Sequence, residues 1–185
     1  MSETGNDENP TVTKARGPAY PYLDLGKALE RVQQIADKGL STRQAVPPST
    51  IYGYWGMGLK SSSARQTMAA LKYYGLVEYV GSGKDRRVRL TDAAMVLAHD
   101  KDRNSERRRA TLRKAALAPE IFSEVYESEG GPYLPPEEAL ILNLTLDRGF
   151  DRDSAEKAVK NFLASIQLAQ LDQPSQQHED VLADN

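Results

Sequence analysis

Residues 59–91 read LKSSSARQTMAALKYYGLVEYVGSGKDRRVRLT, and this stretch decides the fold. Ser61, Ser62 and Ser63 offer an N-cap, because a serine oxygen accepts from the free amides of a first helical turn. The spacing predicts a helix from there to Tyr74, stopped by Gly75, which tolerates the left-handed backbone of a helix end. A β-rich run from Leu76 to Val80 follows. Gly81-Ser82-Gly83 then turns the chain over a basic tip into a second β run, Val88-Arg89-Leu90, and Thr91 caps another helix. The order is helix, strand, basic turn, strand, helix.

At about 100° per residue, Ala64, Thr67, Met68, Leu71 and Tyr74 fall on one side of the first helix and are expected in the core. Ser62, Arg65, Gln66, Ala69 and Tyr73 fall on the other, with Lys72 at its border. Arginine and glutamine reach guanine and adenine edges, and small Ser and Ala side chains permit close approach to a groove. The amides at Ser61 or Ser62 that no cap occupies could also hold a phosphate. An ordinary amphipathic helix presents a similar solvated face, so the attached hairpin carries the argument. Residues 60–90 hold seven Lys and Arg against Glu78 and Asp85, a net charge of +5. Lys84, Arg86, Arg87 and Arg89 crowd the hairpin, where each phosphate contact would release counterions and add sequence-independent affinity.

Tyr74-Gly75-Leu76-Val77, followed by Asp85-Arg86-Arg87-Val88-Arg89-Leu90-Thr91-Asp92-Ala93-Ala94, resembles the wing of winged helix-turn-helix regulators, the MarR-like group in particular. The likeness is to the superfamily, since Ala94 stands where the MarR-like pattern has glycine. It implies a helix in the major groove and a hairpin against the adjacent backbone. It also implies that Arg87 is the wing-tip contact and that Asp85 orients a neighbouring arginine. On this reading Arg65, Gln66, Ser62 and Ser63 address bases, while Lys60, Lys84, Arg86 and Arg87 meet phosphates. Ser61, Lys72, Tyr73 and Arg89 complete the expected contact set.

The whole chain of 185 residues has a net charge of −2, which conceals an asymmetry. Residues 1–118 carry 20 Lys and Arg against 12 Asp and Glu, a net of +8; residues 119–185 carry 4 against 14, a net of −10. A basic half suits nucleic acid and an acidic half does not, so the two halves are expected to have different partners. There are no cysteines, which excludes disulfides, thiolate metal sites and cysteine nucleophiles. No apolar run approaches the roughly 20 residues of a membrane span, and the polar, acidic start lacks a signal-peptide core, so a cytoplasmic protein is expected.

The sequence divides into a disordered tail at 1–17, a winged helix-turn-helix domain at 18–100, a basic connecting helix at 101–118, an acidic helical domain at 119–171 and a second disordered tail at 172–185. The expected fold is mainly α, with a small two-stranded wing and a C-terminal α-helical bundle. Within 18–100, an apolar stripe of Leu25, Ala28, Leu29, Val32 and Ile35 predicts a first helix over 24–38, and Pro47-Pro48-Ser49 opens a short second one ending near Trp55. Beyond residue 100, helices are expected at about 104–117, 119–129, 136–148 and 153–171, divided by Pro and Gly. Residues 104–171 resemble an all-helical segment that follows winged-helix domains in uncharacterised prokaryotic proteins, a likeness that carries no activity. The last helix has a stripe of Ala155, Ala158, Val159, Phe162, Leu163, Ile166 and Ala169, more than residues 119–150 are expected to cover. Part of it is therefore expected to meet a second chain.

Other motifs read more plainly. Gly53 to Lys60 lacks the lysine directly after its last glycine that a phosphate-binding loop requires, and reads as a helix–helix turn. Tyr52, Tyr54 and Trp55 are read as packing residues, with base stacking the alternative. His99 and His178 lack metal-ligand spacing, and no nucleophile–base arrangement is suggested, so neither enzyme activity nor a cofactor is expected. Lys101, Arg103, Arg107 to Arg109, Arg113 and Lys114 are a candidate second backbone contact; a solvated connector presents the same pattern. The expected function is double-stranded DNA binding by a dimeric transcriptional regulator. The alternative is a winged-helix protein-interaction module in a plasmid-, phage- or chromosome-associated complex, with the C-terminal helices on a protein partner.

Overall fold

The capping residue Asp24 starts the first helix, α1 (Leu25–Ala36), by accepting from the Lys27 amide at 2.9 Å. Leu25, Ala28, Val32 and Ile35 recur at helical spacing and are fully buried. The computed structural model describes residues 18–173. The expectations for 1–17, for His178 and for the tail beyond 173 lie outside the described residues. After α1, Val46 exchanges backbone hydrogen bonds with Val88 (3.0 and 2.8 Å). Pro47 and Pro48 then end this one-residue bridge and open α2 (Pro48–Tyr54).

Helix α3 (Ser62–Tyr73) is capped by Ser61, whose Oγ accepts from the Ala64 amide at 3.2 Å. Its expected core side is buried at Ala64, Thr67, Met68, Leu71 and Tyr74, with Ala70 added. Gly75 at φ +67° reverses the chain, and the Leu76 amide returns to the Leu71 carbonyl at 2.9 Å, closing the helix end. Strands β1 (Val77–Val80) and β2 (Arg87–Leu90) pair antiparallel, with Val77 opposite Leu90 and Val80 opposite Arg87. Thr91 Oγ1 accepts from the Ala94 amide and donates to the Gly75 carbonyl (3.2 and 2.7 Å). That one side chain starts α4 (Asp92–His99) and ties it to the end of α3.

Four more helices follow: α5 (Glu106–Ala116), α6 (Glu120–Ser128), α7 (Glu137–Asp147) and α8 (Arg152–Leu168). Among the described residues the protein is thus mainly helical, with eight α-helices and a two-stranded antiparallel sheet. No described helix is long and apolar enough to cross a membrane.

One core runs across the boundaries expected at 100 and 118. Helix α8 packs on α1, α5 and α7, and the Phe122 ring sits between Tyr74 and Phe162, at centroid distances of 6.3 and 5.4 Å. The stripe of α8 is consequently used within the chain. Ala155, Ala158, Val159, Phe162, Ile166 and Ala169 are buried and Leu163 is half-buried, which overturns the expectation that part of it is left for a second copy. The missing cover comes from α1, about 140 residues earlier in sequence. The exposed large apolar side chains of the C-terminal helices lie elsewhere, chiefly Leu142 (44% exposed) and Leu146 (76%) on α7.

Helix α5 is likewise a packed element, lying against α4 and α8. Arg108 donates to the carbonyls of Leu97 and Asp100 (2.8 and 2.7 Å), capping the end of α4. Arg109 pairs with Glu106 at 2.7 Å, and Lys101 donates to Gln33 at 2.6 Å.

Because α8 completes the core of α1, a chain ending at Ala118 should lose its cooperative unfolding transition in circular dichroism; a sharp two-state melt of that fragment would contradict the shared core. Ser165→Ala should cost the full chain about 1–3 kcal/mol in urea denaturation, since it leaves the buried Leu25 amide without its acceptor.

Candidate nucleic-acid interface

The exposed face of α3 has two edges. With Arg65 at zero and about 100° per residue, Lys72 lies at about −20°, Ala69 at 40°, Ser62 at 60°, Tyr73 at 80° and Gln66 at 100°. Arg65 and Lys72 therefore share one edge, Gln66 and Tyr73 the other, with small Ala69 and Ser62 between them. Arg65, Gln66, Ser62, Ser63 and Lys72 are all exposed, as is Lys60 just before the cap.

The edge with Lys72 faces the hairpin. Side chains alternate across a strand, so Tyr79 and Val88 point inward while Val80, Arg87, Glu78 and Arg89 point outward. The half-buried Tyr79 ring takes two cations: Lys72 Nζ and the Arg86 guanidinium carbon each lie 5.2 Å from its centroid. The two charges are thus held no more than 10.4 Å apart, one on α3 and one on the hairpin. Burial pushes the Tyr79 phenol above its ordinary pKa, Tyr52 adds to the rise and Arg86 opposes it. Burial also raises Tyr52, with Arg65 opposing. Arg65, Tyr52, Tyr79, Arg86 and Lys72 therefore form one electrostatic group where α2, α3 and the hairpin meet.

Not every expected contact joins it. Arg89 pairs across the strands with Glu78 at 2.7 Å, in a surface depression shared with Thr91 and Asp92. Its charge is neutralised, and it lies on the face of the hairpin opposite to Arg86. Arg87 shares the outward face of β2 but sits exposed at the tip, with Lys84 in the single turn Gly83–Asp85. Asp85 makes no ion pair with a described arginine, contrary to the role that the wing resemblance implies. The turn is tight: a side chain at Gly81 (φ +75°) would bring its Cβ to 3.0 Å from the Asp85 carbonyl oxygen.

The other edge of α3 meets residues 18–22. Gln66, Ala69 and Tyr73 face Pro18, Ala19, Tyr20 and Tyr22 across a shallow groove of ≈ 270 Å³. A larger groove of ≈ 700 Å³ runs from Lys72, Tyr73 and Tyr79 to the start of α6, where Glu120 and Glu124 form its far rim. Glu124 is paired with Arg148.

Trp55 is buried and its Nε1 donates to the Arg31 carbonyl at 3.2 Å, while its ring lies 6.2 Å from that of Tyr52, in keeping with the packing reading. Tyr79 is absent from the residues singled out in the sequence, and Tyr52 stands there as a packing residue with base stacking as the alternative. The period-2 pattern of Val77–Val80 already puts Tyr79 on the inward side, but only the strand register brings it to Lys72. Among the described residues, no group of three or more His, Asp or Glu is placed to hold a metal ion. Compared with known proteins, the chain matches no family model, no curated protein and no solved structure.

The shared ring can be measured directly. A double-mutant cycle of Arg86→Ala with Tyr79→Leu, followed by urea denaturation, should give a coupling of about 0.5–1 kcal/mol, the size of an exposed cation–π contact. Additive single effects would mean that the ring does not hold the guanidinium.

Proposed function

We propose that this chain is a winged helix-turn-helix protein that binds double-stranded DNA and regulates transcription, with α3 in the major groove and the β1–β2 hairpin as its wing. The observation that carries this reading is the Lys72–Tyr79–Arg86 cluster. It fixes cations from the helix and the hairpin on one ring, beside an exposed Arg65. The element order supports it: α1, the Val46 bridge, α2, α3, then a hairpin paired with that bridge. Arg65 and Gln66 address base edges, and Ser62 and Ala69 let the helix approach closely. Lys60, Lys84, Arg86 and Arg87 meet phosphates. Arg89 contributes through Glu78 to the hairpin rather than to DNA.

A second reading, a protein-interaction module, is favoured by Glu120, which stands on the rim of the groove beside Lys72 and would oppose an approaching phosphate backbone, whereas Glu124 on the same rim is neutralised by Arg148. A single reading helix makes few contacts, so the DNA-binding function favours a dimer on two half-sites. With the stripe of α8 buried, the surface for that dimer is α7, where Ala139, Leu142 and Leu146 are exposed at helical spacing.

Titrating generic duplex by anisotropy at several salt concentrations tests the DNA reading. Lys84→Ala/Arg86→Ala/Arg87→Ala should lower the slope of log K against log salt by about 2–3. Arg89→Ala should leave that slope where it is, and Arg65→Ala should remove about 1–3 kcal/mol of discrimination between cognate and random sequence. No duplex binding by the full chain at low salt would leave the interaction module as the reading. Sedimentation addresses the dimer: Leu142→Ser/Leu146→Ser should convert dimer to monomer, and a monomeric parent protein at micromolar concentration would remove dimerisation.

A further inference from the structure

Helix α5 meets the end of α8 across a pocket of ≈ 370 Å³. That volume falls within the range of about 300–1,000 Å³ in which small molecules are ordinarily bound. Three guanidinium groups, those of Arg103, Arg108 and Arg109, line it, and no acidic residue does. Like charges gathered at one place repel each other, so an anion among them is favoured. Donors remain for it. Arg108 spends its Nη1 on the Leu97 and Asp100 carbonyls, and its Nε and Nη2 make no bond among the described residues. Arg109 pairs with Glu106 at 2.7 Å, in an exposed and therefore weak ion pair. Arg103 is exposed and makes no ion pair among the described residues. The rest of the wall is largely apolar, with Leu112 half-buried, Ala169 buried and Leu168 left 42% exposed. Four carbonyls at the end of α8 that would repel an anion are already bonded. Those of Ser165, Ile166 and Gln167 accept from the amides of Ala169, Leu171 and Gln170, and that of Gln170 from Arg113.

We infer that this pocket binds a small carboxylate with an unbranched apolar tail, the carboxylate on Arg103 and Arg109 and the tail on Leu112 and Leu168. Glu106 shows the first half of that contact, since its own carboxylate already sits on Arg109. A ligand carboxylate competes with Glu106 for that guanidinium and takes Arg103 in addition, through charge-assisted hydrogen bonds. The tail then removes the exposed leucine from water. The site is separate from the face of α3, and its failure would leave the DNA-binding reading untouched.

The test titrates the full chain with hexanoate, butanoate, acetate, inorganic phosphate and hexylammonium, followed by backbone amide shifts in NMR. Hexanoate should bind saturably, with the shifts centred on Leu112, Leu168 and Gln170. Each methylene removed between hexanoate and acetate should weaken binding by up to about fourfold, and hexylammonium should not bind. Arg103→Gln should weaken hexanoate about tenfold, the size of one lost hydrogen bond to a charged group. Arg103 is exposed, so this variant keeps the fold. Glu106→Gln should act in the opposite direction, tightening hexanoate by freeing Arg109. Phosphate bound as tightly as hexanoate, or affinity independent of chain length, would overturn the proposal and reduce the pocket to a basic patch. Hexanoate affinity unchanged by Arg103→Gln would overturn it as well, as would the absence of saturable binding.

Discussion

The hydroxyl of Ser165 is the point on which the N-terminal and C-terminal halves depend. It is fully buried on α8, accepts from the Leu25 amide at 2.9 Å and donates to the Asn161 carbonyl at 2.7 Å. It also lies 3.1 Å from the Tyr74 hydroxyl, which donates to the Leu23 carbonyl at 2.8 Å. The hydroxyl hydrogens of Ser165 and Tyr74 thus serve the start of α1, the end of α3 and the middle of α8 together. Around them the rings of Tyr74, Phe122 and Phe162 close the apolar part of the junction. A buried polar group of this kind stabilises only while every partner is present, so it fixes how α8 lies on α1. That in turn places the start of α6 beside α3. The burial of Tyr74 keeps its phenol protonated well above the ordinary tyrosine range, so it remains a hydrogen-bond donor.

The local features of the fold were legible in the sequence because each is written in adjacent residues. Ser61, Gly75 and Thr91 mark the ends of elements by their own side chains or backbone, and their geometry is as expected. The helices beyond residue 100 follow the same logic of proline, glycine and period. What failed was partnership. The stripe of α8 was read correctly as apolar, yet its partner is α1, and no period connects residues so far apart. Val46 escaped notice as a strand because its pairing partner lies beyond two helices and two prolines end it at once.

The candidate interface divides along the same line. Which residues of α3 are exposed followed from its period, so Arg65, Gln66, Lys72 and Tyr73 lie where expected. How the hairpin cations are shared out did not, because strand register decides it. Register sends Arg86 to Tyr79 and Arg89 to Glu78, although the two arginines are three residues apart. The charge asymmetry between halves also has a different meaning in space. Glu120 and Glu124 belong to the acidic half but rim the groove that starts at Lys72, so the halves are contrasted in sequence and neighbours in the fold.

The bond between Leu25 and Ser165 spans 140 residues and has a consequence for biosynthesis. At about 5–20 residues per second, roughly 7–28 s pass between the synthesis of α1 and that of the residue that accepts its first amide. Within that interval α2, α3 and α4 are made and can cover part of the apolar face of α1, but the part that α8 buries stays open. The nascent chain therefore leaves that part of the α1 face uncovered until α8 has left the ribosome.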